Sequence, residues 1–320
     1  MQRLFISIVL VALLAPALSI VDEYARPLDS AKVDCEGTRV KRTIMVTKSR
    51  RSKYHKIQEA IDSVDALNTK WVKIYVMPGV YRERVQIPWN KTCILLEGHS
   101  RRITTVTNPT NSSTFLAAAD NFVAKRITFV NTYRGGPGNA LEVTGDKVSF
   151  YHCGFKGFQD TVWDALGRHY FHRCYIEGAV DFIYGNGQSV YEKVLINSTS
   201  TPGFITAQGR DGPDETTGFV FLSCYMAGTG PTFFGRAYRQ YSRVILRKTY
   251  VANIIDPRGW DAWNYPNHVK DFTYAQVDCF GPGANTTGRV PWTKTLTKAE
   301  GKKFKVSTFI DQDGWLARQP

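Results

Sequence analysis

Cysteine is sparse in this chain, six among 320 residues, and no Gly-x-Ser-x-Gly run occurs in it. The first shortage excludes a small scaffold held together by disulfides. The second removes the strand–turn–helix elbow that presents a catalytic serine in many esterases. Hairpin dipeptides are scarce as well, with Asn186-Gly187 the one Asn-Gly pair. An antiparallel sandwich would place turn signals every ~8–12 residues, so this scarcity counts against one. Long apolar runs are missing beyond the N-terminus. There, "MQRLFISIVLVALLAPALSI" joins a basic Arg3, an apolar stretch and small residues, the pattern of a secretory signal peptide over residues 1–20. Its apolar stretch is shorter than the ~20 residues of a membrane-spanning helix. Acidic residues are outnumbered, 28 against 41 Lys and Arg, for a net charge of +13. That balance suits nucleic acid or an acidic polysaccharide, and export favours the extracellular polyanion. Neither a nucleic-acid nor a membrane partner is expected.

Four Asn-x-Ser/Thr triplets, at Asn90, Asn111, Asn197 and Asn285, suit glycosylation of a secreted chain. Residues 21–42 read as an irregular arm, and residues 43–320 as one domain whose irregular tail starts near 255. "YHKIQEAIDSVDAL" carries Ile57, Ala60, Ile61, Val64 and Leu67 at helical spacing, which predicts one short amphipathic helix. From Trp71 onward, β-rich runs such as "KIYVMP", "KVSFYHC", "RHYFHRC" and "FVFLSC" follow one another with no helix between them. Placing Ile127, Cys153, Cys174, Val194, Cys224 and Thr249 over one another aligns similar surroundings, at intervals of 26, 21, 20, 30 and 25 residues. A loose period of that size predicts the coils of a parallel β-helix, an all-β single domain. Cys153 and Cys174 would then stack within disulfide reach, because parallel strands lie ~4.8 Å apart and bridged Cα atoms ~4.4–6.8 Å. Packed free thiols are the favoured outcome for that pair.

Asp160, in "GFQDTVWD", and Asp181, in "VDFIYG", are separated by the same 21 residues as Cys153 and Cys174. An unpaired anion among such apolar neighbours costs several kcal/mol. One coil apart, the two carboxyls would sit side by side. Neighbouring carboxylates drive their pKa values apart, leaving one as an acid and the other as an anion. The competing role for each is an aspartate that merely caps a turn. His169 and His172 of "HYFH" are three apart and would face opposite sides of a strand, which argues against a zinc site. No metal or cofactor is expected.

"GVYRE" (79–83), "GFQDTVWD" (157–164), "VDFIYG" (180–185), "TAQGR" (206–210) and "FGRAY" (234–238) resemble the successive motifs of the plant pectin methylesterases. They occur in that family's order, joined by "IQEAID", "DPRGWDAW" and "GPGA", from about residue 43 to 316. The resemblance implies a right-handed parallel β-helix, in the form without an inhibitor-like pro-region. It implies removal of methyl esters from homogalacturonan by a secreted monomer of the plant cell wall. By that resemblance Asp181 is the nucleophile and Asp160 the acid and base. Arg236 holds Asp181 as an anion, and Gln159 donates to the oxyanion. Tyr184, Trp163, Tyr238, Trp260 and Trp263 are the sugar-facing aromatics, with Tyr238 standing where the family usually has Trp. The family's first site glutamine aligns with Pro137, which cannot donate a hydrogen bond. Asn139, two residues on, is the candidate substitute. A pectin-binding relative with little catalysis is therefore a second expectation. A pectate lyase would need an acidic calcium cluster, and "RDGPDE" reads instead as a solvated turn.

Overall fold

A computed structural model describes residues 33–50 and 52–320. The signal peptide expected over residues 1–20, and part of the arm, lie outside the described residues. Three parallel sheets, of ten, eight and eight strands, run the length of the domain. The chain visits them in rotation. One coil takes Val148–Tyr151, Gly154–Lys156 and Val162–Asp164, and the next takes Arg168–His172, Tyr175–Gly178 and Ile183–Gly185. Each strand pairs in register with its counterpart one coil away, as Val148 to Tyr151 do with His169 to His172. The β-helix predicted from the loose period is therefore what the chain forms.

The corner between the first and second sheets explains why the period was readable. Arg126, His152, Arg173, Lys193, Ser223 and Lys248 all adopt the left-handed backbone region, with φ between 48 and 55°. A bend of this kind turns the chain in one residue and lets the side chain point to solvent. The residue that follows faces inward: Ile127, Cys153, Cys174, Val194 and Cys224 are all at most 3% exposed. In-register coils also stack like side chains. Phe150, Phe171, Tyr191 and Phe221 form one internal column, with successive ring centres 4.8, 4.5 and 4.8 Å apart. Each fully buried ring contributes roughly 1.5–3 kcal/mol of apolar burial.

Cys153 and Cys174 are both buried free thiols in this stack. The Cys174 thiol donates to the Phe150 carbonyl, and burial pushes its pKa well up. A disulfide does form elsewhere, between Cys35 and Cys93, whose Cα atoms are 5.8 Å apart. It ties the arm to an early coil beside Trp71, whose indole N–H donates to the Gly37 carbonyl. Nothing periodic marks a pair 58 residues apart.

The predicted helix is present but short, Ile57–Asp62, with Ile57, Ala60 and Ile61 buried. Glu83 of "GVYRE" accepts from the Ile57 and Gln58 amides at 3.0 and 3.1 Å, satisfying donors the first turn leaves open. Leu67 lies beyond the helix and is 47% exposed. The tail also starts later than expected. Trp260–Asp261 and Thr273–Val277 still belong to the sheets. Only after them does the chain cross the outside of the ten-stranded sheet, laying Phe304, Phe309, Ile310 and Trp315 against Val190, Val220, Ile245 and Ala275.

Candidate active site

The third sheet alternates strictly between an inner and an outer row. Its inner row runs through Val162, Ile183, Thr206, Gly235 and Trp260; its outer row runs through Trp163, Tyr184, Ala207, Arg236 and Asp261. Just before these strands lies a second corner, and there Asp160 and Asp181 adopt φ values of 61 and 48°. Gln159 bridges Val180 in parallel, and the Asp160 amide donates to the Val180 carbonyl at 3.0 Å. The two aspartates therefore occupy the same position on adjacent coils. By the same register Asn139 precedes them and Phe204 follows them in this column.

Arg236 comes from the outer row, two coils on from Asp181. Its Nε and Nη2 donate to the two carboxylate oxygens of Asp181 at 2.8 and 2.6 Å. This bidentate fork fixes both groups. Arg236 is itself held between rings, its guanidinium carbon 4.3 Å from the Phe204 centre and 3.8 Å from that of Trp263. Phe204 was not singled out from the sequence, although it stands two residues before "TAQGR" and stacks on Phe233 at 5.2 Å. "TAQGR" itself supports from behind. The Gln208 side-chain oxygen accepts from the Arg210 and Arg243 amides at 3.0 and 2.7 Å.

The acids differ in charge state. Burial, then repulsion from Asp181, push the Asp160 pKa from 3.8 up to about 7. Asp181 is only 7% exposed, and burial pushes it upward too, but the Arg236 fork opposes the push. Asp181 is thus the first of the pair to ionise, and its charge keeps the proton on Asp160. The Gln159 side-chain amide has no hydrogen-bond partner among the described residues and is half-buried beside the pair.

One stacked aromatic pair lies level with the acids, on their own two coils, and a second lies farther along the helix axis. Trp163 lies on Tyr184 with ring centres 5.8 Å apart and 11° between planes, and Tyr238 lies near Trp263 at 6.1 Å and 30°. Trp260 does not join them. It is 1% exposed and stacks on Tyr274 at 4.5 Å inside the helix. Strand alternation turns it inward while Arg236, its outer-row neighbour, turns outward. Asn139 also differs from expectation. Its amide donates to the Asp160 carbonyl at 2.8 Å and to the Tyr184 hydroxyl at 2.9 Å, so both its protons are occupied. Pro137 is exposed and Asn139 is 8% exposed, and both precede the strand that starts at Leu141, so strand alternation does not relate them.

His169 and His172 separate as expected. His169 is buried, with Nδ1 2.5 Å from Asp164 and Nε2 2.9 Å from the Gly145 carbonyl, while His172 faces outward beside Tyr170. Among the sequons, Asn111 and Asn285 are exposed, and Asn90 and Asn197 are half-buried.

Comparison with known proteins gives one answer. The Pectinesterase family profile matches residues 43–313. A probable pectinesterase of Arabidopsis thaliana, number 55, is 42% identical over 299 residues, covering 87% of this chain and 91% of that protein. The solved pectin methylesterase from carrot superposes with a TM-score of 0.82 at 29% identity, covering 90% of this chain and 97% of that one. A pectin methylesterase solved in complex with a hexasaccharide shares the fold, with a TM-score of 0.73 at 21% identity, covering 86% and 98%.

Proposed function

Because the chain belongs to the pectinesterase family, we propose that it hydrolyses the C6 methyl esters of homogalacturonan through the Asp160–Asp181 pair. The observation that carries this reading is the split between two adjacent carboxyls. One is bound in an arginine fork, and the other has its pKa pushed up to about 7. The Asp181 carboxylate attacks the ester carbonyl and forms a mixed anhydride with the galacturonyl carbon. Methoxide leaves with the Asp160 proton, as methanol. Asp160, now a carboxylate, takes a proton from water, whose oxygen attacks the anhydride; the galacturonic acid departs, giving its proton to the solvent, and both carboxyls return to their starting state.

The developing oxyanion needs donors placed for it. Gln159 has its amide free among the described residues, and Pro137 offers no donor. The Tyr184 hydroxyl supplies a second donor. Its oxygen already accepts from Asn139, which leaves its own proton to give. The Trp163–Tyr184 pair beside the acids and the Tyr238–Trp263 pair farther along the axis offer aromatic surface to the sugar chain. A fold relative was solved in complex with a hexasaccharide, which supports an oligosaccharide as the ligand. The N-terminal signal pattern and the exposed sequons at Asn111 and Asn285 support action outside the cell, in the wall.

Methanol release from highly methylated pectin by the purified secreted protein tests the reading. Release that disappears in Asp181→Asn supports it, and release that persists in that variant rejects it. Pro137 favours a second reading, a pectin-binding relative of low turnover; pectin retention without methanol release would establish it.

A further inference from the structure

The first-to-second sheet corner carries a charge pattern that ester hydrolysis does not use. Its left-handed residues Arg126, His152, Arg173, Lys193, Ser223 and Lys248 are all exposed and follow one another coil by coil, with the exposed Asp278 next in line. Arg126 shares Glu97 with Lys73, whereas Arg173, Lys193 and Lys248 have no ion-pair partner among the described residues. At the N-terminal end of the ladder, Arg101 and Arg102 separate two open clefts of about 630 and 410 Å³, the first also lined by Lys125 and the second by Lys156. The Arg101 guanidinium donates to the Arg173 carbonyl at 2.9 Å, which binds this turn to the ladder. Burial and the positive charges of Arg173, Arg101 and Arg126 all lower the His152 pKa, a sign of the local potential.

Two residues beyond each corner position a second column follows, on the outer face of the second sheet. It runs Tyr175, Leu195, Tyr225, Tyr250, in register from coil to coil. Tyr225 and Tyr250 stack at 4.6 Å and 12°, and Phe280 closes the column against Tyr250 at 5.6 Å. Tyr225 is 47% and Phe280 57% exposed. A row of cations, interrupted at Ser223, thus lies beside a column of stacked rings whose edges face outward, both advancing ~4.8 Å per coil.

We propose that this strip is a second polysaccharide-binding site, which holds unesterified stretches of polygalacturonate with their carboxylates on Arg173, Lys193 and Lys248 and their apolar C–H groups against the exposed edges of Tyr225 and Tyr250. Only the name of the polymer rests on the function proposed above; binding requires no turnover. The strip is separated from the acid pair by the width of the second sheet, Arg173 lying eight residues before Asp181. A chain held there by its product carboxylates stays near the ester groups the active site consumes. Asp278 closes the row beyond Lys248, and two further acids lie at its margins. Glu177 accepts from the Tyr175 hydroxyl and lies 3.8 Å from Lys156, and Glu192 accepts from the Tyr170 hydroxyl.

The test measures binding of a long unesterified oligogalacturonate, which holds no ester to cleave, with dextran sulfate as a sugar polyanion of different ring substitution. Arg173→Glu combined with Lys193→Glu is expected to weaken oligogalacturonate binding by about tenfold or more and to flatten its salt dependence by ~1–2 units of log–log slope. The rate of a short methyl-esterified oligomer should not change. The milder Arg173→Gln/Lys193→Gln pair should move the same way, which guards against misfolding. Tyr225→Ala/Tyr250→Ala should weaken oligogalacturonate but leave dextran sulfate unaffected. Unchanged oligogalacturonate affinity in the charge variants overturns the proposal. Equal losses for both polymers in the tyrosine variant reduce the strip to a general anion patch and also overturn it. Loss of short-oligomer hydrolysis together with affinity would place the strip within the active site and overturn its separateness. A protein that binds but never hydrolyses would reject the esterase reading while leaving the strip in place.

Discussion

Two corners of the same β-helix use nearly the same backbone and opposite chemistry. Arg173 and Lys193 at the first corner have φ values of 53 and 55°; Asp160 and Asp181 at the second have 61 and 48°. The first pair is exposed. Asp181 is 7% exposed, and Asp160 is half-buried beside it. A left-handed bend therefore decides only where a side chain emerges. Its surroundings decide what the side chain becomes. At the first corner neighbouring cations stand in water, where repulsion is screened within ~8–10 Å. At the second, poor solvation makes two like charges costly, and the structure responds by forking one acid with Arg236 and leaving the other a proton.

Making the second corner resemble the first should have large effects. Asp181→Asn removes the anion and the nucleophile together, and methanol release should fall by about 10⁴-fold or more with the circular dichroism unchanged. Asp160→Asn should cost about 10²–10⁴-fold in the same assay. That variant also has a stability signature. The folded state holds the Asp160 proton more tightly than the unfolded chain, whose pKa is near 3.8. Its contribution is therefore intact at low pH and lost as pH rises through about 7. The melting temperature of Asp160→Asn should accordingly gain on wild type between pH 4 and pH 8, and a gain that shrinks over that range would contradict the burial argument.

A smaller effect is expected at the donor side. Pro137→Gln should raise kcat by roughly one to three decades with little change in KM, provided Gln159 and Tyr184 leave room for improvement. If the rate is unaltered, those two donors already suffice. The smallest change is expected at the first corner. Lys193→Gly relieves a left-handed backbone that costs a side-chain residue ~1–2 kcal/mol, and it adds unfolded-state freedom of similar size. Urea unfolding should register a net shift of less than ~1 kcal/mol, and a large loss would mean that the lysine side chain supports the corner.

Much of this architecture was legible because parallel stacking repeats side chains at one interval. The alignment of Ile127 through Thr249 picked out the residues just after the first corner, and the 21-residue spacing placed Asp160 beside Asp181. What escaped has physical causes. The Cys35–Cys93 bond joins an arm to a coil, outside any repeat. Trp260 stands three residues before Trp263 and looks equally suited to a sugar, but strand alternation sends it into the core. The occupied amide of Asn139 depends on Tyr184, 45 residues away, which no local pattern reveals. Phe204 was hidden for the opposite reason: an apolar residue at a corner position reads as core until Arg236 is seen lying on it.

The split protonation of the two aspartates is tested most directly by kcat/KM for methanol release from a short methyl-esterified oligogalacturonide, measured from pH 4 to 9. The Asp160 proton must be present to leave with methoxide, so the rate should fall as pH rises through about 7, the Asp160 value in the free protein. The residual activity of Asp160→Asn should lack that limb. A wild-type rate that stays level between pH 6 and 9, or an unchanged alkaline limb in Asp160→Asn, would contradict the assignment of Asp160 as the acid.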